Sequence, residues 1–577
     1  MTTVLSGRNH LPGDRTATEH LLDPELLMLP QRLQALAPSR MSVARAVLER
    51  MVREQWSFER VYFDIDEKSR GEALYRVRAG NHVFDFVVFG FEPDPEGRTG
   101  RITQKNWDMM AALIDRETTP EDRARTREEL PKLYVGRAIP GTLTWARSNR
   151  SFRAFDHVVD ALAAGRQPDT RFLWEIGYLM RNTGLDGNGT FNTRSFLALE
   201  DDHPLRDPLH AQLFSAYLMR EYAADLVDAL AAHRSPDAVA LTPELRRMVG
   251  IGNGSALGLL FFVNTHPHLI GAWLGERQRL IAEAAAVELA PNSAEARQML
   301  QLIEDAAAYY SADPYVYQVF EDPHDVGIDL RRAAGVLRGL LEGGTTTGAR
   351  LLEVLTDTGG VEAWEVVAAN LLELLPATAI EDALVNGIRS ELTHSDPKMT
   401  VGELAALVTD EYRWALDIDM EADGARDYVW YKSADAEEPR RGPADEVTGG
   451  RNWALDLPTD IQTLTAELRH RHAGQPVGEV LADRPELRAV IERVQSLAGQ
   501  RFHSPHMNML DRDFVPVSIV RFVNAAIHGL HRTVDSEDQR NVLGLIFIGA
   551  PTAAEITAGT AVIDPYPAIP VTHGKVK

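Results

Sequence analysis

The chain has 577 residues, is 44% hydrophobic and 25% charged, carries a net charge of −24 and contains no cysteine. That composition suits a folded chain of roughly two to four domains and leaves no room for domain-scale disorder. It excludes disulfides, thiolate metal sites, iron–sulfur clusters and thiol nucleophiles, and so acidic a chain is a poor partner for nucleic-acid phosphates.

Met1 to Arg8 has neither the basic nor the apolar region of a signal peptide. The longest strongly apolar run, from Ala256 to Val263, is too short to span a bilayer. The expectation is a soluble, cytoplasmic protein with no membrane partner.

Residues 1–23, with Gly7, Pro12 and Gly13, read as an extended arm. Residues 24–140 read as an α+β region. Leu26, Leu29, Leu33 and Leu36, then Val43, Val47 and Met51, recur at helical spacing. From Phe58 the period changes to alternation. Turn chemistry at Ser69-Arg70-Gly71 and Ala79-Gly80-Asn81 predicts an antiparallel meander of three strands, the last a continuous apolar run from His82 to Phe91. Helices are expected over 105–116 and 120–130.

From 141 to 416, Ala/Leu-rich segments broken by Gly, Pro and Asp-Pro predict a helical body without a repeat period. Residues 417–564 read as a mixed α/β region with an apolar strand at 541–548, and 565–577 as a tail. The expected fold class is α+β and predominantly α-helical. A large helical body carries a smaller antiparallel sheet built from the N-terminal strands, with the C-terminal strand a candidate addition.

Two Gly-Asn runs draw attention. Arg181-Asn182-Thr183-Gly184-Leu185-Asp186-Gly187-Asn188-Gly189-Thr190 ends an apolar helical segment, and Arg194 follows it. Gly250-Ile251-Gly252-Asn253-Gly254-Ser255 opens the apolar stretch from Ala256. Such runs lose backbone entropy on folding and bury little. The plain reading is helix caps and turns. The functional reading is a pair of loops presenting backbone N–H groups and guanidiniums to an anion, with Arg181, Asn182, Asn188, Arg194, Asn253 and Ser255 as the binding residues.

Histidines supply the expected chemistry. Arg501-Phe502-His503-Ser504-Pro505-His506 precedes Asp511 and Asp513, and a following helix carries Arg521, Asn524 and His528 on one face. His503, His506 and His528 are the candidate acid–base groups, with Arg501, Arg521 and Asn524 as further binding residues. The spacing matches no recognised metal motif, so no metal ligands are assigned, and His266-Pro267-His268 reads as a helix C-terminus.

The expected function is an enzyme acting on a small carboxylate or phosphate metabolite by His-based acid–base chemistry, of lyase, isomerase or hydrolase type. Two alternatives stand beside it. One is a nucleotide- or flavin-dependent oxidoreductase; the other is a non-enzymatic, α-rich homo-oligomeric scaffold. The sequence names no cofactor.

Overall fold

A computed structural model of the protein describes residues 39–92, 107–130, 141–187, 199–200, 202–207, 209–253, 268–312, 323–358, 360–384, 395–422, 430–432, 439–441, 453–454, 457–499, 527–529, 532–534 and 543–568. Among these, no helix is long and apolar enough to cross a membrane.

The architecture corrects the expected fold class. The sheet is not a small antiparallel appendage to a predominantly helical chain. It is one large, curled, mixed sheet of nine strands. In chain order these are β1 (Ser57–Ile65), β2 (Gly71–Ala79), β3 (His82–Gly90), β4 (Met109–Ile114), β5 (Thr142–Arg150), β6 (Tyr178–Gly187), β7 (Gly250–Asn253), β8 (Arg532–Val534) and β9 (Leu543–Ile546). Their spatial order is β1-β2-β3-β4-β5-β6-β7-β9-β8. Every neighbouring pair is antiparallel except β6 and β7, which run parallel.

Local chemistry builds the first hairpins. Asp66 accepts the Lys68 and Arg70 N–H groups at 2.9 and 2.8 Å and so folds the β1–β2 turn on its own carboxylate. Gly71 follows at φ +142°, where a Cβ would lie 1.9 Å from the Asp64 carbonyl oxygen. The β2–β3 turn is Gly80-Asn81 between the paired residues Ala79 and His82, with Gly80 at φ +57°. A positive φ at the first of two turn residues matches the twist of the flanking strands.

The middle strands defeat the helical reading because both their faces are covered. Met109, Ala111 and Leu113 of β4 join the main core, whereas Met110, Ala112 and Ile114 join a smaller core with Trp107, Leu130 and Trp145. A strand buried on both sides shows no alternation and cannot be told from a buried helix by period. β5 and β6 also fall in the stretch expected to be helical, and there it is strand pairing on both sides that overrides the local reading.

The helices used below are α1 (Val43–Arg53), α2 (Pro120–Glu129), α3 (His210–Arg234), α4 (His268–Ala285), α5 (Ala294–Ala312), α6 (Pro323–Glu342), α7 (Gly348–Thr358) and α8 (Val361–Leu371). α1 and α3 pack on the main-core face of the sheet. Arg220 of α3 is buried and donates to the carbonyls of Arg246, Val249, Ala550 and Pro551, so one guanidinium ties the helix to the approach to β7 and to the segment after β9. α4 to α8 form the helical body, with α8 buried from Glu362 to Leu371. The helices between Val401 and Leu497 enclose a separate core that includes Leu404, Tyr412, Ile461 and Ile491.

Candidate functional site

Strand register assembles a polar centre at one rim of the sheet. β3 and β4 are antiparallel with Asp85 opposite Ile114, so the start of β3 and the end of β4 share that rim. His82 opens β3 two residues before Phe84, which faces the main core. Asp115 follows β4 two residues after Leu113, which faces the same core. Period-two alternation therefore aims His82 and Asp115 at one face. His203, from the segment leading into α3, completes the group: one ligand atom from each of the three lies within 4.8 Å of the others.

The hydrogen bonds set the roles. His203 Nε2 lies 3.1 Å from Asp115 Oδ1, and His203 Nδ1 accepts the Leu205 N–H at 3.1 Å. With Nδ1 accepting, the ring proton of a neutral imidazole sits on Nε2 and is donated to Asp115. The His203 side chain is 4% exposed and that of Asp115 26%. His82, half-buried, stands edge-on to His203 with ring centroids 4.8 Å apart. Solvent therefore reaches His82 and Asp115, whereas His203 lies behind the carboxylate.

Two histidines and a carboxylate are also a familiar divalent-metal set. A metal-bound imidazole normally donates its second N–H to an acceptor. Here that second nitrogen accepts an N–H instead, so metal on Nε2 would require an imidazolate. The arrangement fits proton transfer better than a three-ligand metal centre.

Asp115 is held from two sides. Its N–H donates to Gly141 O at 2.8 Å. The loop beyond it is pinned where Asp85 Oδ2 accepts the Thr118 N–H and hydroxyl at 2.6 and 2.8 Å. Asp85 is fully buried and takes a two-pronged contact from Arg76, Nε at 2.8 Å and Nη2 at 3.0 Å.

The Gly-Asn runs are strand residues rather than helix-end loops in their described parts. Arg181 to Gly187 belong to β6 and Gly250 to Asn253 to β7, and the strands lie side by side with Arg181 opposite Gly252 and Asn182 opposite Asn253. Arg181 is exposed and Asn182 buried. Gly250 has a packing reason: a Cβ there would lie 2.3 Å from the Ile546 carbonyl oxygen.

The carboxyl end of β6 does approach the rim. Gly187 and Leu113 both pair with Thr144, which puts Gly187 roughly 12 Å from Asp115 by strand spacing and rise. Arg181 lies about 20 Å back along the strand. The structure thus brings Arg181, Asn182 and Asn253 together, but apart from the histidine centre. Asn188, Arg194, Ser255, Arg501, His503, His506, Arg521 and Asn524 lie outside the described residues.

His528 is described, and it is buried with no hydrogen-bond partner on either ring nitrogen among the described residues. Burial pushes its pKa down to about 4 from 6.5, so the ring is neutral near pH 7. As pH falls from 6.5 towards 4 the unfolded chain takes up a proton that the folded chain refuses. Folding stability should therefore drop over that window by roughly 3 kcal/mol from this group. His528→Leu should remove that part of the acid slope in denaturation midpoints measured across the window; an unchanged slope would show that the ring does not stay neutral.

His82, Asp115 and His203 escaped the sequence reading because they come from three separate segments with no local spacing. Their one trace is position, a titratable residue at the very start or end of an apolar strand. No protein-family model, curated protein or solved structure matches the chain, so the site stands on its own geometry.

Proposed function

We propose that the protein is an enzyme that moves protons on a small anionic metabolite at the His82–Asp115–His203 centre. The observation that carries this reading is the directed contact from His203 to Asp115, with its donor set by the Leu205 N–H. Asp115 takes a proton from the substrate, and His82, the only other reachable group of the three, returns one. His203 is a positioning residue that fixes the carboxylate. Histidine suits this work because it exchanges protons near neutral pH. The anionic class rests on the neighbouring cations: His82 when protonated, and Arg116, whose guanidinium lies beside Gly141 and pairs with Asp122 through Nη2 at 2.8 Å. Lyase or isomerase chemistry fits two proton-transfer groups facing one space, in place of the His503, His506 and His528 set expected from sequence.

A panel of small carboxylates and phosphates, assayed for turnover, tests the proposal. Once a substrate is found, Asp115→Asn and His82→Gln should each lower kcat about 10²–10⁴-fold with melting curves retained. His203→Gln, which keeps an N–H donor, should retain more activity than His203→Leu. Full turnover in Asp115→Asn or His82→Gln would remove the centre from the reaction.

A further inference from the structure

A guanidinium outside the rim grips the segment that carries His203. That segment begins as a turn, closed by the Arg206 N–H donating to His203 O at 3.1 Å. Pro204 follows His203 inside the turn and stiffens it by fixing its own φ. The Pro204 carbonyl accepts from Arg50 Nη1 at 2.9 Å, and the same nitrogen reaches Asp207 Oδ2 at 3.3 Å. We propose that Arg50 of α1 is a positioning residue of the rim centre, holding the 203–207 segment so that the His203 ring stays on Asp115. This role rests on the reading of the centre as a proton-transfer site, but the state of the His203 ring can be measured without turnover.

Arg50 is aimed before it meets the segment. Its Nε donates to Glu54 Oε1 at 3.0 Å, one turn along the same helix, and Nη2 lies 3.7 Å from Glu381 Oε1. α1 itself is fixed by Val47, Leu48 and Met51 in the main core. A planar fork with one nitrogen tied to its own helix loses little further freedom when another meets a carbonyl. The side chain is 18% exposed, so its charge-assisted contact with the segment lies largely out of water.

The segment has little else to hold it. The Asp207 side chain is 8% exposed, and among the described residues Arg50 is the one group hydrogen-bonded to its carboxylate. His210 Nδ1 lies 3.3 Å from that carboxylate yet makes no hydrogen bond. Two residues beyond Asp207, Leu209 is buried in left-handed backbone at φ +68°, where it precedes α3 without a side-chain cap. A leucine stays in that region only where its surroundings hold it there. Without Arg50, a strained junction would adjoin a buried carboxylate with no hydrogen bond, and the segment would relax. His203 meets Asp115 through one contact of 3.1 Å, so a displacement of about 1 Å parts them.

Ring-nitrogen NMR of the histidine-labelled full chain, assigned with His203→Gln, reads where the His203 proton sits. In the unaltered protein it should sit on Nε2 alone. In Arg50→Met both tautomers should appear, with melting curves showing a folded chain. Arg50→Lys keeps a cation but lacks the fork that serves Glu54 and the segment together, so it should lie between the two; it decides the matter if Arg50→Met does not fold. Arg53→Met removes the contacts to Glu54 and Glu381 on the same helix and, among the described residues, none to the segment, so His203 should stay as it is. Once a substrate is found, kcat should fall by up to about 10²-fold in Arg50→Met with KM little changed. If Asp115→Asn keeps full turnover while Arg50→Met frees the ring, the proton-transfer reading fails and the grip of Arg50 on His203 stands. That grip is overturned if the proton stays on Nε2 alone in folded Arg50→Met, or in Arg50→Lys where the first does not fold, or if Arg53→Met frees the ring equally.

Discussion

Truncating Glu365 to alanine is expected to destabilise the helical body by about 3–5 kcal/mol, as is usual when one member of a buried ion pair is removed. Arg277 of α4 and Glu365 of α8 are both wholly buried, with Nη2 and Oε2 2.9 Å apart. Among the described residues Arg277 makes no other hydrogen bond, so Nε and Nη1 find no partner there. Removing the carboxylate would leave a whole guanidinium unpaired in an apolar interior. The double variant Arg277→Met/Glu365→Leu should recover most or all of that loss, because it removes both desolvated charges and keeps the volume. Denaturation midpoints of the two single variants and the double variant check this. A double variant as unstable as the singles would mean that the pair contributes more than it costs to desolvate.

Such a pair is a choice between strength and specificity. The expectation is that a hydrophobic pair would pack as well between α4 and α8 but mark their register less sharply. α8 is buried from Glu362 to Leu371, and polar contacts add to close packing in marking its register. Glu365 on Arg277, and the Tyr566 hydroxyl donated to Asn370 Oδ1 at 2.5 Å, are two such marks.

The parts of the fold visible in the chain are those made by local chemistry. Alternation and turn residues point to β1 and β2, where Asp66 folds one turn and Gly80 the other. The apolar run at the end of the chain contains β9, which enters the sheet beside β7. What stays hidden has a common cause. Met109 to Ile114 is buried on both faces, so its period carries no information. Tyr178 to Gly187 mixes Arg, Asn, Asp and Gly in a way that suggests a loop, yet pairing on both sides holds it as β6. The size of the sheet, and with it the fold class, depends on those segments. The rim centre was illegible for a further reason. His82, Asp115 and His203 meet only when β3 and β4 pair and the approach to α3 packs over their ends, and no spacing in the chain encodes that meeting.

Asp85→Ala should be costly in two ways. The carboxylate accepts from Arg76 Nε and Nη2 and from the Thr118 N–H and hydroxyl. Its loss leaves a half-buried guanidinium with only the contact to Glu117 at 3.3 Å, and strips Thr118 of its acceptor. Breaking a buried, hydrogen-bonded ion pair in this way costs about 3–5 kcal/mol. The second effect is functional. Thr118 lies three residues after Asp115, so the loop that carries the proposed base loses one of its two anchors. Asp85→Asn keeps the shape but not the charge, and should fall between the native protein and Asp85→Ala in stability. Thr118→Val should show part of the second effect alone, since it removes the hydroxyl contact and leaves the Thr118 N–H and Arg76 contacts intact: a small loss of stability and a partial loss of turnover, with KM little changed. Melting curves of the three variants, read beside their kcat values on the same substrate, separate the effects. If folded Asp85→Asn and Thr118→Val both turn over at the native rate and Asp85→Ala loses turnover only in proportion to its unfolding, Asp85 supports the sheet and has no part in positioning Asp115.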